Sequence, residues 1–94
     1  MNNQLLSRNV TIDGHRTSLR LEKVSWDALD DICRNEGLTI HELCSMIEPL
    51  RNGASRTSAV RAFVVSYYRT AAREGGALRS GTLAQVIPPR AAAE

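Results

Sequence analysis

The chain has one lysine in 94 residues, two cysteines, three prolines and only four aromatic side chains, and it contains no long apolar run. Each scarcity excludes something. Nothing approaches the roughly 20 apolar residues that a membrane helix needs. MNNQLLSRN lacks the apolar segment of a secretory leader, so the protein is expected in the cytoplasm, without a membrane partner. Two cysteines, Cys33 and Cys44, fit a reducing compartment. Their separation is far from CxxC, both fall on apolar helix stripes, and with His15 and His41 they show no zinc-site arrangement. There is no glycine-rich phosphate loop and no nucleophile motif. No enzyme and no cofactor are expected. Trp26, Phe63, Tyr67 and Tyr68 are the whole aromatic inventory, and a chain this short supports one domain with a thin core. Oligomerisation is one usual remedy for a thin core.

Charge is unevenly spread. Residues 1–23 sum to +2, residues 24–50 to −5 and residues 51–94 to +5. Eleven of the twelve basic residues are Arg. Arginine is the better side chain for bidentate contact with phosphate or guanine, although a GC-rich genome would produce the same bias.

Residues 1–9 read as a flexible polar arm. Asp13-Gly14 is a strong two-residue hairpin signal, which would fold Val10–Ile12 back on His15–Thr17. In HRTSLRLE, apolar Leu19 and Leu21 alternate with Arg16, Ser18 and Arg20, the pattern of a half-buried strand. Helix A is expected from Val24 or Ser25 to Glu36, with Ser25 as N-cap and Trp26, Leu29, Ile32 and Cys33 as its apolar stripe. Gly37 suits a left-handed stop. TIHE at 39–42 matches a capping box and opens helix B, whose face is Ile40, Leu43, Cys44 and Ile47. Pro49 ends it near Glu48. Helix C is expected from Thr57 to Arg73, with Val60, Phe63, Val64, Tyr67 and Ala71 on one side. Residues 74–94 read as a mostly disordered tail carrying one apolar patch, LAQVI at 83–87. The domain proper is then residues 10–73.

A three-residue hairpin arm is too short to satisfy the strand through Leu21, and an open edge is a liability. A second copy solves this if the two strands pair antiparallel about a two-fold axis. Leu19, Leu21, Trp26, Leu29, Ile32, Leu43 and Ile47 would form the shared core of that dimer, and Arg16, Ser18 and Arg20 would point away from it. A two-stranded ribbon fits the major groove.

The alternating RTSLRLE at 16–22, WDAL at 26–29, EGLT at 36–39 and IHELCSMI at 40–47 together resemble the ribbon-helix-helix family of DNA-binding proteins. VTIDGHRTSLRLE with TSAVRAFVVSYYR at 57–69 is similar to a short bacterial subgroup with an additional C-terminal helix. The resemblance implies a mainly α fold with one short N-terminal strand and an intertwined homodimer with an intermolecular ribbon. It implies sequence-specific double-stranded DNA binding by a transcriptional repressor, with higher-order assembly on DNA open. Arg16, Ser18 and Arg20 would read bases. Thr39, Ile40 and His41, at the start of helix B, would hold a DNA phosphate. Glu22 shares the outward parity and would repel phosphate, so the ribbon's footprint must end before it. The alternative is an antitoxin-like or other protein-binding module, with helix C or residues 74–94 holding a partner protein.

Overall fold

Asp13 and Gly14 reverse the chain with φ of 50° and 82°, the pair of positive values that a type I′ turn demands. The turn joins strand β1, Leu5–Ile12, to strand β2, His15–Glu22. The two are antiparallel along their whole length, from Ile12 opposite His15 to Leu5 opposite Glu22. Three helices and a short fourth follow: α1 over Lys23–Glu36, α2 over Ile40–Ile47, α3 over Arg56–Arg73 and α4 over Thr82–Val86, with a 3₁₀ turn at Glu48–Arg51 between α2 and α3. This computed structural model describes residues 4–76 and 81–87.

The hairpin corrects the expectation of a flexible arm over residues 1–9. From Leu5 onward the segment is strand, and β2 has a full-length partner within its own chain. The strand was hidden because its core-facing positions are Leu6, Arg8, Val10 and Ile12, and Arg8 breaks the apolar alternation. The inward Arg8 is compensated. Its guanidinium lies 4.4 Å from the centroid of the Trp26 ring and pairs with Asp30 at 3.2 Å. An arginine can cover apolar surface with its stem and stack its planar head on an indole. Trp26 in turn donates its Nε1–H to the carbonyl of Leu6 at 2.8 Å.

The inner face of the hairpin packs on the helices. Val10, Ile12, Leu19 and Leu21 join Trp26, Leu29 and Ile32 from α1, Leu43, Cys44 and Ile47 from α2, and Val60, Phe63 and Tyr67 from α3 in one buried cluster. The seven side chains expected to form a dimer core are thus all buried inside a single chain. α3 and β1 close a core that two helices and one strand would leave open.

Helix boundaries follow local chemistry. α1 starts two residues before Ser25, with Glu22 at the cap position. Ser25 does not cap the helix; its hydroxyl donates to Glu22 Oε1 at 3.0 Å. Gly37 takes the left-handed stop at φ 72°. Thr39 makes the full capping box with Glu42, and Ser55 caps α3 by accepting from the Ser58 amide.

The LAQVI patch, expected in a disordered tail, instead contributes a helical turn. Leu83 joins the core cluster. Glu36, at the end of α1, accepts the amides of Gly81 at 3.1 Å and Leu83 at 3.2 Å. It also accepts the Tyr67 hydroxyl proton at 2.6 Å, while Asn35 donates to the same hydroxyl. Burial and the nearby Glu36 carboxylate push Tyr67 up to about 12. Residues 77–80 and 88–94 of the tail lie outside the described residues.

Leu21 is fully buried, so Leu21→Asp places an unpaired charge in the core and should abolish the cooperative urea transition. Leu83→Ala, at the core's edge, should cost about 2 kcal/mol in the same measurement. An unchanged midpoint for Leu83→Ala would mean that α4 contributes nothing to the fold.

Candidate nucleic-acid interface

Alternation sorts the hairpin into two faces. Opposite the core lie Ser7, Asn9 and Thr11 of β1 and Arg16, Ser18 and Arg20 of β2, all exposed. They oppose one another in pairs: Ser7 with Arg20, Asn9 with Ser18, Thr11 with Arg16. The Ser7 and Ser18 hydroxyls are 2.9 Å apart and hydrogen-bonded. The face is polar throughout and carries no carboxylate until Glu22.

The positive charge of this face has no ion-pair partner among the described residues. Six basic residues are held in ion pairs: Arg8 with Asp30, Lys23 with Asp27, Arg34 with Asp31, Arg51 and Arg56 with Glu48, and Arg61 with Glu22. Among the described residues, only Arg16, Arg20, Arg69 and Arg73 have no such carboxylate. Two of these four are the outward arginines of β2. Arg56 and Arg61 of α3 are tied up in bidentate contacts to Glu48 and Glu22, with all four bonds between 2.9 and 3.1 Å.

Glu22 is therefore not a bare anion beside the ribbon. Hydrogen bonds from Arg61, helped by Ser25, hold its carboxyl down at about 2. The same contacts pin the β2–α1 junction to α3. No local sequence signal announces this pairing, which joins residues 39 positions apart.

The two edges of the hairpin also differ. The Asp-Gly turn makes Ile12–His15 a hydrogen-bonded pair, so odd-numbered amides of β1 and even-numbered amides of β2 point away from the ladder. On β1 the turn end of that edge meets α2: the Thr11 amide donates to His41 Nδ1 at 2.9 Å, and the Asp13 amide to Ser45 Oγ at 3.0 Å. On β2 the outward backbone groups belong to Arg16, Ser18 and Arg20. No third strand lies beside them among the described residues.

The start of α2 divides its expected roles. Thr39 spends its amide on Glu42 Oε1 at 2.9 Å and its hydroxyl on the Glu42 amide at 3.0 Å. The amides of Ile40 and His41 have no acceptor among the described residues, as is normal for a first helical turn. His41 accepts from β1 through Nδ1, so its neutral ring carries the proton on Nε2. Cys33 and Cys44 are core groups. Burial raises both thiols, Cys44 to about 12, and neither is a reactive thiolate at neutral pH.

The family model described as "Ribbon-helix-helix domain" matches residues 5–68. The chain belongs to the ribbon-helix-helix domain family. This is a DNA-binding, regulator-type fold, non-enzymatic in general and dimeric. The match opens at Leu5, so the whole hairpin is part of the ribbon-helix-helix domain. Among solved structures, the chain is similar to an uncharacterized protein from Bordetella pertussis Tohama I. That likeness has a TM-score of 0.68 at 22% identity and covers 96% of this chain and 81% of that one; it speaks to the fold alone. No curated protein matches. No helix of the described residues is long and apolar enough to cross a membrane.

The Glu22–Arg61 contact has a pH signature. A carboxyl held near 2 when folded, against 4.5 ordinarily, contributes stability that is complete above the ordinary value. That contribution fades as pH falls through about 2. Glu22→Gln should therefore lower the urea midpoint at pH 6, and the gap to wild type should close as pH falls from about 4.5 toward 2. A gap independent of pH would show that the ion pair does not hold the junction.

Proposed function

We propose that this chain is a homodimeric, sequence-specific DNA-binding regulator of transcription, acting as a repressor by occupying promoter DNA. The observation that carries the reading is the outer face of β2. Among the described residues, Arg16 and Arg20 are exposed there without carboxylate partners, while most other basic residues are paired. Two copies joining along the open edges of β2 would set two such faces side by side about a two-fold axis. Arg16, Ser18 and Arg20 of each copy then enter the major groove, where arginine can grip guanine through O6 and N7. The free amides of Ile40 and His41, with His41 Nε2–H beside them, hold a phosphate, and the positive end of α2 favours it. Thr39 acts there only as the cap.

The alternative, an antitoxin-like module whose helix C or tail holds a partner protein, has weaker support. Leu83, from the apolar patch that suggested a docking segment, is spent on the chain's own core. Arg56 and Arg61 are likewise engaged within the chain.

Rounds of selection from a random duplex pool test the reading without a known operator. The wild-type protein should enrich a two-fold symmetric motif. Arg20→Ala should bind that motif about ten- to a hundredfold more weakly, which corresponds to roughly 1–3 kcal/mol for a lost bidentate base contact. It should bind random duplex nearly as well as wild type does. An unchanged ratio of specific to random binding in a folded protein would remove β2 as the reading strand.

A further inference from the structure

We infer that β1 is a second DNA-contacting strand, and that Ser7, Asn9 and Thr11 of each copy grip the phosphate backbone on either side of the groove that β2 enters. The inference rests on the DNA-binding reading above and extends it to residues of a strand that the ribbon alone does not use.

The geometry begins with the edges. β1 is the poorer strand for the dyad, because α2 already occupies the turn end of its edge through the bonds from Thr11 to His41 and from Asp13 to Ser45. The edge of β2 is open along its whole length among the described residues, so the paired copies form a sheet in the order β1-β2-β2′-β1′. Strands lie about 4.8 Å apart. The two β2 strands therefore run about 2.4 Å from the dyad, and the two β1 strands about 7 Å from it. A major groove is about 12 Å wide, or roughly 6 Å to either side of its centre. The β2 strands fit within the groove, whereas the β1 strands lie over its rims, where the phosphates are.

The side chains agree with that placement. Ser7, Asn9 and Thr11 are exposed on the same face as Arg16, Ser18 and Arg20 and directly opposite them. All three can donate hydrogen bonds and none carries a negative charge. Asn9 and the Thr11 hydroxyl have no hydrogen-bond partner among the described residues. Ser7 is tied by its hydroxyl to Ser18, which fixes the two strands' outer faces relative to each other. The polar stretch ends at Leu5 opposite Glu22, an apolar side chain beside a carboxylate already held by Arg61. The footprint is thus confined to the pairs Ser7–Arg20, Asn9–Ser18 and Thr11–Arg16 on each copy. Contacts to phosphate position a protein on DNA without reading sequence, so β1 sets affinity and β2 sets specificity.

The test uses the full-length protein, with the motif duplex selected by wild type and a random-sequence duplex as probes. Asn9 is exposed, so its variants should fold, and circular dichroism checks this. Asn9→Ala should weaken both duplexes alike, by about three- to tenfold for the two copies together. Asn9→Arg should strengthen both by about tenfold or more at low salt. It should also steepen the dependence of log affinity on log salt by about one to two for the dimer. Ala72→Arg, an exposed position on α3, adds the same charge away from the hairpin and should change affinity less than about twofold.

If Asn9→Arg behaves like Ala72→Arg while Arg20→Ala still loses the motif, β1 is off the DNA and this inference fails alone. If Asn9→Ala changes the selected motif, β1 reads bases and the phosphate assignment is overturned. If wild type enriches no motif and Arg20→Ala is neutral, the DNA-binding reading fails and takes this one with it.

Discussion

A strand has two hydrogen-bonding edges, and this chain can satisfy them on only one side of β2. The Asp-Gly turn brings β1 onto one edge over eight residues. β1's own far edge meets His41 and Ser45 of α2. The remaining row of donors and acceptors, on Arg16, Ser18 and Arg20, stands open beside the outward arginines. The basic face lies beside that row, and the proposed dimer joins there.

The helices hold this arrangement through three carboxylates placed at chain junctions. Glu22 ties the end of β2 to α3 through Arg61. Glu48 ties the end of α2 to the start of α3 through Arg56 and steadies the intervening turn through Arg51. Glu36 ties the end of α1 to Tyr67 of α3 and to the first amides of α4. Exposed ion pairs contribute little stability one at a time. Their larger effect here is on where free charge remains. The C-terminal segment is the more basic part of the sequence, yet Arg51, Arg56 and Arg61 are neutralised by carboxylates, while Arg16 and Arg20 have no such partner among the described residues.

Much of this was legible in the sequence because it depends on local chemistry. The Asp13-Gly14 turn, the alternation from Arg16 to Glu22, the Thr39–Glu42 capping box, Gly37 and the stripes of α1, α2 and α3 all express short-range rules. β1 was not legible before Val10, because Arg8 faces the core and is made compatible only by Trp26 and Asp30, which are distant in the chain. The docking of Leu83 was hidden for the same kind of reason: it depends on Glu36 and Tyr67, which nothing in LAQVI announces. At the candidate site, the outward position of Arg16, Ser18 and Arg20 follows from alternation. That Arg61 would cover Glu22, and that the Thr39 amide would be spent on Glu42, required the folded chain.

Residue-resolved amide hydrogen exchange on the free protein tests the open-edge account most directly, under conditions where light scattering gives about twice the 10.3 kDa chain mass. The amides of Leu19 and Leu21, inside the β1–β2 ladder, serve as protected references, and that of Gly53 in the turn after α2 as an unprotected one. The account predicts that the amides of Ser18 and Arg20 are protected comparably to Leu19, because the second copy's β2 accepts from them. Exchange of Ser18 and Arg20 as fast as Gly53, in a protein that scatters as a dimer, would contradict it: the copies would then meet elsewhere, and the two basic faces would not lie side by side.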